Sequence, residues 1–519
     1  MSQSAFVRPG ATGATVQRES AATRRYGWRA RLIGRPLSTA DAPHQAIGKA
    51  VGLAVFSSDA LSSTAYATQE ILIILAMAGT AALSWVLPVS AAIVGLLVIL
   101  TISYEQTIHA YPSGGGAYIV ARDNIGDLAA QVAGAALLMD YILTVSVSIS
   151  SGVAQITSAL PGLFPWRVAL GVLLVGFVML MNLRGVKESG LVFALPAYFF
   201  VAMMYLTVGT GLVRYLTGSL HPVPDPPPLD IETTRAFGLF LLLHAFSSGT
   251  TAVTGVEAIS NGIPAFKEPR SRNAGVTLMW MSGILGSLFL GISFLAGPIG
   301  AVPSEHETVI SQLARAVFEG RGILYLAAIG ATTAILVMAA NTAYADFPRL
   351  AALQAADGFL PRQLTYRGSR LVYSRGIVVL ALVASLLIVV FQASVTGLIP
   401  LYAIGVFLSF TLSQAGMARR WRKVGRLAQG QEIRERGSVL RPDPGWRLKL
   451  AVNGVGAVIT AVVTVIFATT KFTTGAWVVL IVIRCWWRRS TPCTATTARW
   501  RPSSRSRTSA PRRASTATA

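Results

Sequence analysis

Residues 54–71 read AVFSSDALSSTAYATQEI, and residues 244–259 read HAFSSGTTAVTGVEAI. Each places Phe-Ser-Ser in an otherwise apolar run, continues with small and hydroxyl-bearing residues, and reaches a glutamate ahead of isoleucine. An apolar run of about 20 residues crosses a bilayer as helix, the form that satisfies its own backbone polar groups. A polar, Gly/Ser/Thr-rich centre in such a run points to a discontinuous helix and a site near the membrane midplane. Close helix packing alone also favours Ser and Thr, but it leaves the carboxylate of Asp59 unexplained.

Similar apolar runs recur along most of the 519 residues, of which 53% are apolar and 13% charged. A soluble domain carries nearly twice that share of charge. The composition excludes an ordinary soluble enzyme, a disordered chain and a secreted disulfide scaffold. The two cysteines, Cys485 and Cys493, are too few for a disulfide framework or a metal cluster. The expected fold is an all-α polytopic membrane protein with about twelve transmembrane helices. They start near residues 47, 84, 127, 167, 190, 236, 274, 322, 376, 395, 449 and 473. The two quoted segments fall in spans 1 and 6, which suggests five helices, five more inserted upside down, and two added at the end.

Charge sets the orientation. Arg184/Lys187, Lys267/Arg270/Arg272, Arg349 to Arg375 and Arg419 to Lys449 fall on the same side as the Arg-rich segment 1–46. The opposite loops are neutral or acidic, as in HPVPDPPPLDIE and PSEHETV. The positive-inside rule makes the basic side cytoplasmic, with both chain ends there. Residues 1–46 then form a cytoplasmic tail, and residues 47–483 a transporter domain. Most of the +22 net charge is topological. It can also attract anionic membrane lipid, whereas no aromatic platform or groove motif supports nucleic acid.

Residues 484–519 break the pattern. The last span proceeds as TTGAWVVLIVI and then becomes RCWWRRSTPC and onward, with nine arginines and no acid. A one-base shift joins each codon's third base to the first two of the next. Trp486 then reads Leu, and Trp487 reads Val, which lets an apolar span continue. We read a frameshift near position 484, the alternative being a genuine disordered Arg/Ser-rich tail. Resequencing decides it, and a clean read in the present frame refutes the shift.

Within the spans, the chemistry lies with a few acids. Asp59 sits among Ser57, Ser58, Ser62 and Ser63, and Asp140 lies in MDYILTVSVSISSG (139–152). A carboxylate at the bilayer centre costs roughly 2.5–3.5 kcal/mol on insertion scales and marks function by default. Neither span holds an Arg or Lys to pair with it, so each acid must hold a cation or a proton. Thr144 and Ser148 follow Asp140 at helical spacing, with Tyr141 flanking their face. Carboxylate, hydroxyl and carbonyl oxygens suit a hard cation such as an alkali ion. Glu257 is a third acid, read equally as a proton relay or a helix cap. His109 and His244 are read as packing residues. The Gly-rich loop after Tyr111 follows a helix and lacks a Lys-Ser/Thr ending, so it is no nucleotide cradle. Without an ATP-binding domain, an ion gradient must drive transport.

YPSGGGAY (111–118) with Arg122 and Gly126, and TGVEAISNGIPAFKEPRSRNA (254–274), resemble amino acid–polyamine–organocation permeases. SSDALSSTAYATQEI (57–71), the Asp140 segment, AFSSGTTAVTGVEAISNGIP (245–264) and PLYAIGVFLSFTLSQAGM (400–417) are similar, more narrowly, to KimA-type potassium/proton symporters of the KUP group. The resemblance runs from about residue 35 to 483. It implies the LeuT-like 5+5 inverted repeat with discontinuous helices 1 and 6. It also implies a homodimer in the cell membrane and inward potassium movement coupled to protons, with no cofactor beyond those transported ions. The implied cation-binding and pathway residues are Asp59, Tyr66, Asp140, Tyr141, Thr144, Ser148, Thr254 and Tyr402. Potassium falls to Asp140, Thr144, Ser148 and Tyr66, and proton coupling to Asp59 or Glu257. Members of the group carry a cytosolic regulatory domain after the last span, where a cyclic dinucleotide can inhibit. Residues 484–519 do not read as one. An amino acid or polyamine permease of the same fold is the alternative. Asp59 would repel a substrate carboxylate, so a cationic amine fits that alternative better. No TVGYG-like filter supports a channel, and no output domain supports a receptor.

Overall fold

A computed structural model describes residues 47–184, 190–229, 231, 235–366, 373–435 and 437–471. The segment 1–46, the twelfth span expected near 473 and the tail from 484 lie outside the described residues. The described chain is mostly helix. Nine helices among the described residues are long and apolar enough to cross a membrane, and Ser374–Val390 is a shorter apolar helix.

Two segments are interrupted helices. In the first, α1 (Lys49–Ser62) gives way to a 3-10 turn at Ser63–Ala65 and resumes as α2 (Ala67–Ala76). Ser62, Ser63 and Thr64 each donate a hydroxyl to the carbonyl three residues earlier, at 2.7, 2.5 and 2.7 Å. Such back-bonding competes with the helical ladder, which is why a hydroxyl-rich centre breaks here. The other interrupted segment follows α3 (Val86–Ala110), α4 (Gly116–Asn124), α5 (Asp127–Ala159), α6 (Arg167–Leu183) and α7 (Gly190–Leu216). It comprises α8 (Leu239–Gly249), a 3-10 turn at Thr250–Val253 and the short α9 (Ala258–Asn261). Thr250, Thr251 and Thr254 back-bond in the same way, at 2.6, 2.9 and 2.8 Å. Ser63 ties the two breaks together by donating to the Ala252 carbonyl at 2.9 Å.

The remaining elements are α10 (Arg270–Ala296), α11 (Val309–Val317), α12 (Ile323–Ala356), α13 (Ser374–Val390), α14 (Val395–Val424), β1 (Ile433–Arg434), β2 (Val439–Leu440) and α15 (Trp446–Thr470). Helix α5 is almost wholly buried and packs on α12 and α14. By contrast α6, α7, α13 and α15 leave apolar side chains such as Leu173, Leu195, Leu382 and Val458 exposed. An apolar outer face around a polar-seamed interior is how a helix bundle meets lipid.

Three elements depart from the span reading. The second crossing begins in a 3-10 turn at Thr80–Trp85, ahead of the expected start near 84. Helix α11 and the β1–β2 hairpin lie in connections that carry no long apolar run, so they gave no membrane signal. The hairpin, with Ile433 opposite Leu440, is a small exception to an all-α architecture. It docks on α4, where the Gly437 N–H donates to Asp123 Oδ2 at 2.9 Å, and on the end of α14, where Lys423 pairs with Glu435 at 2.7 Å. Helix α4 also holds the end of α12, where Tyr118 and Arg122 both donate to Asp357, at 2.6 and 3.0 Å.

The Gly-rich loop before α4 is explained by packing. Gly114 and Gly116 have φ of +77° and +46°, and an added Cβ would come within 2.9 Å of the Asn261 carbonyl and 2.1 Å of its side-chain oxygen. Only glycine lets this turn close against α9.

Candidate ion-binding site

The breaks bring four helices onto one buried centre. From α5, Asp140, Thr144 and Ser148 share a face, with Asp140 only 3% exposed. Thr144 Oγ1 lies 3.5 Å from the Tyr402 hydroxyl of α14. Tyr66, the residue at the first break, reaches toward both Thr254 and Tyr402. Thr254 is extended rather than helical, and Gly255 follows at φ +82°. The Gly255 backbone lies against Asp59: an added Cβ would be 3.0 Å from the Asp59 carboxyl carbon.

Glu257 stands at the N-terminal end of α9, which begins at the next residue, without acting as its side-chain cap. Its carboxyl lies within hydrogen-bond reach of Asp140 instead. One oxygen of each acid, Asp140 Oδ1 and Glu257 Oε2, is buried without a hydrogen-bond partner among the described residues. Asp59 is in electrostatic range of Glu257 and of Asp346 on α12. Like charges this close repel strongly in a medium of low dielectric constant. Among the described residues, no Arg or Lys forms an ion pair with Asp59, Asp140 or Glu257. Ionising more than one member of the cluster therefore requires a compensating positive charge.

Six of the eight residues expected from the sequence converge here through side chain or backbone: Asp59, Tyr66, Asp140, Thr144, Thr254 and Tyr402; Ser148 is buried two turns along the same helix face from Asp140. Tyr141 faces the edge of the centre, where its hydroxyl accepts a hydrogen bond from Asn261 at 2.8 Å. Asp346 was not singled out from the sequence. It is 4% exposed, and its nearest basic group is Arg349 at 3.7 Å. That arginine opens the basic run that the sequence reading takes as a loop, but α12 continues through it to Ala356, so Asp346 and Arg349 lie on the same helix. The place of Asp346 inside the apolar run 322–356 was the signal that could have found it. Among the described residues no set of three His, Cys, Asp or Glu converges as a metal centre. The donors are a mixture of carboxyl, hydroxyl and main-chain oxygens, which suits a weakly held hard cation better than a chelated divalent metal.

Interrupted helices around a buried, oxygen-lined, acid-bearing centre define a multi-pass membrane transporter. Residues 50–485 match the amino acid permease family. The chain is also 45% identical over 450 residues to the potassium transporter KimA of Bacillus subtilis (strain 168), an alignment covering 87% of this chain and 71% of that protein. The protein belongs to the amino acid permease family, within the amino acid–polyamine–organocation superfamily, and is KimA-like. It is a permease and not an enzyme.

Proposed function

We propose that this protein imports potassium by proton symport through alternating access. The observation that carries the reading is the contact between two buried carboxyls, Asp140 and Glu257, beside a third, Asp59, with no basic partner for any of them among the described residues. Carboxyls in contact cannot both ionise, so they hold a proton between them. A cation taken up beside them is bound by the same charge. Asp140, Thr144, Ser148 and Tyr66 hold the potassium, while Tyr141, Thr254 and Tyr402 line its path. Asp59 or Glu257 carries the proton. The similarity to KimA of Bacillus subtilis, a potassium transporter, supports potassium as the cargo. Twelve spans in a 5+5 inverted repeat, both chain ends in the cytoplasm and a homodimer in the cell membrane complete the proposal. The paired breaks and the basic loops support it.

The family description favours a second reading, an amino acid or polyamine permease. Expression in a strain lacking potassium uptake, with labelled amino acid and polyamine uptake measured in parallel, separates the two. Growth at micromolar potassium without amine uptake is the expected result. Amine uptake without growth overturns the potassium assignment.

A further inference from the structure

A second buried acid lies outside the Asp140 centre, on the other half of the first interrupted helix. Glu70 of α2 is 1% exposed. Its Oε1 accepts a hydrogen bond from Thr396 Oγ1 of α14 at 3.0 Å, while its Oε2 is buried without a hydrogen-bond partner among the described residues. Lys471, just past α15, is 5% exposed and in electrostatic range of Glu70. Leaving a carboxylate oxygen bare in a dry interior is costly, so this group is set to receive something.

Its surroundings form a ladder of oxygens. Glu305, exposed in the acidic loop, lies 3.5 Å from Ser394, which precedes α14. Thr396 stands two residues further on and holds Glu70. The Glu70 N–H in turn donates to the Tyr66 carbonyl at 3.0 Å. Glu70 is therefore one helical turn, about 6 Å, from Tyr66 of the central site. The neighbouring Gln69 fastens this half-helix to the loop ahead of α11, donating to the Ser304 carbonyl at 3.0 Å and accepting from the Val309 N–H at 3.2 Å.

We propose that Glu70 is an anteroom site for a monovalent cation at the acidic-face entrance, and that the Lys471 ammonium is the tethered charge that neutralises it while the entrance is closed. The proposal rests on the potassium-import reading above. When α2 parts from α14 and α15, the ammonium withdraws. An entering cation then takes the Glu70 carboxylate and the Thr396 hydroxyl, and passes one turn inward to Tyr66. A built-in competitor raises the cation concentration needed for entry and keeps the buried acid from standing bare.

The test is radiolabelled rubidium flux into proteoliposomes of the full chain, read as apparent KM on the acidic face and as Vmax. Glu70→Gln is expected to raise KM about tenfold, the equivalent of 1.4 kcal/mol. Lys471→Gln is expected to lower KM about threefold, and Glu70→Asp to stay near wild type. A pair with a purely structural role behaves differently. Either substitution then breaks the same contact, so both lower thermal stability and Vmax in the same sense. That result, or an unchanged KM in every variant, overturns the anteroom. If Lys471→Gln does not fold, Glu70→Gln against Glu70→Asp decides. Wild-type vesicles that move no rubidium or potassium defeat the import reading itself, and the anteroom falls with it. If the wild type transports, the variants judge the anteroom alone.

Discussion

Asp140→Asn is expected to abolish potassium uptake while leaving the protein folded and inserted. The carboxylate is the centre of the oxygen face made with Thr144 and Ser148, and it is buried with one oxygen unpartnered. Truncating one member of a buried charged contact costs about 2–5 kcal/mol. Uptake at limiting potassium should therefore fall by roughly a hundredfold or more. Stability should move the other way or not at all. The Asn amide can donate to Glu257, and one charge leaves a set of acids that repel one another. Rescue of a potassium-uptake-deficient strain, beside thermal unfolding of the purified variant, checks both halves. Growth at micromolar potassium with the variant would remove Asp140 from the site.

Gly255→Ala is expected to cost nearly as much, through backbone rather than charge. Gly255 holds φ +82°, and its Cβ would sit 2.8 Å from the Ala60 nitrogen and 3.0 Å from the Asp59 carboxyl carbon. A non-glycine residue held in such a conformation costs of order 1–3 kcal/mol. Relief of the clash has to push α1 and the unwound 254–257 segment apart. Transport should fall at least about tenfold, with a lower thermal midpoint. Gly283→Ala in α10 is the control, because nothing lies within 4 Å of its added Cβ. There the better helix former should leave transport unchanged and raise stability slightly. Equal transport by the two variants would show that the close approach of Gly255 to Asp59 is not needed.

Much of the site was legible because the membrane makes polar residues informative. An acid within a span is a costly exception, so Asp59, Asp140 and Glu257 stood out without any tertiary information. Helical spacing added Thr144 and Ser148 to Asp140. Tyr66, Thr254 and Tyr402 have no such signal: a tyrosine or threonine in a span is ordinary, and the family resemblance alone singled them out. Asp346 and Glu70 were hidden for opposite reasons. The first lies three residues before Arg349, where a basic run reads as a loop although α12 continues to Ala356, and the second reads as part of a repeated pattern rather than as a buried charge. The role of Glu257 was also beyond the sequence. A cap and a buried acid need the same residue at the same place, and only the structure shows that this side chain makes no capping hydrogen bond and lies toward Asp140.

The sequence by itself determined that this chain is a polytopic helical membrane protein, where most of its helices begin, and that two of them break. Each follows from local physics: apolar length for the spans, and hydroxyls that compete with the helical ladder for the breaks. Tertiary structure decided which broken ends meet, which acids share one centre, and that a Gly-rich loop is a packing device against Asn261 rather than a ligand cradle. Those facts depend on contacts between residues far apart in the chain, 189 positions for Ser63 with Ala252, 284 for Ser58 with Thr342 and 326 for Glu70 with Thr396. Periodicity carries no record of such distances. A helix announces which of its faces is polar, but only packing decides what that face is turned toward.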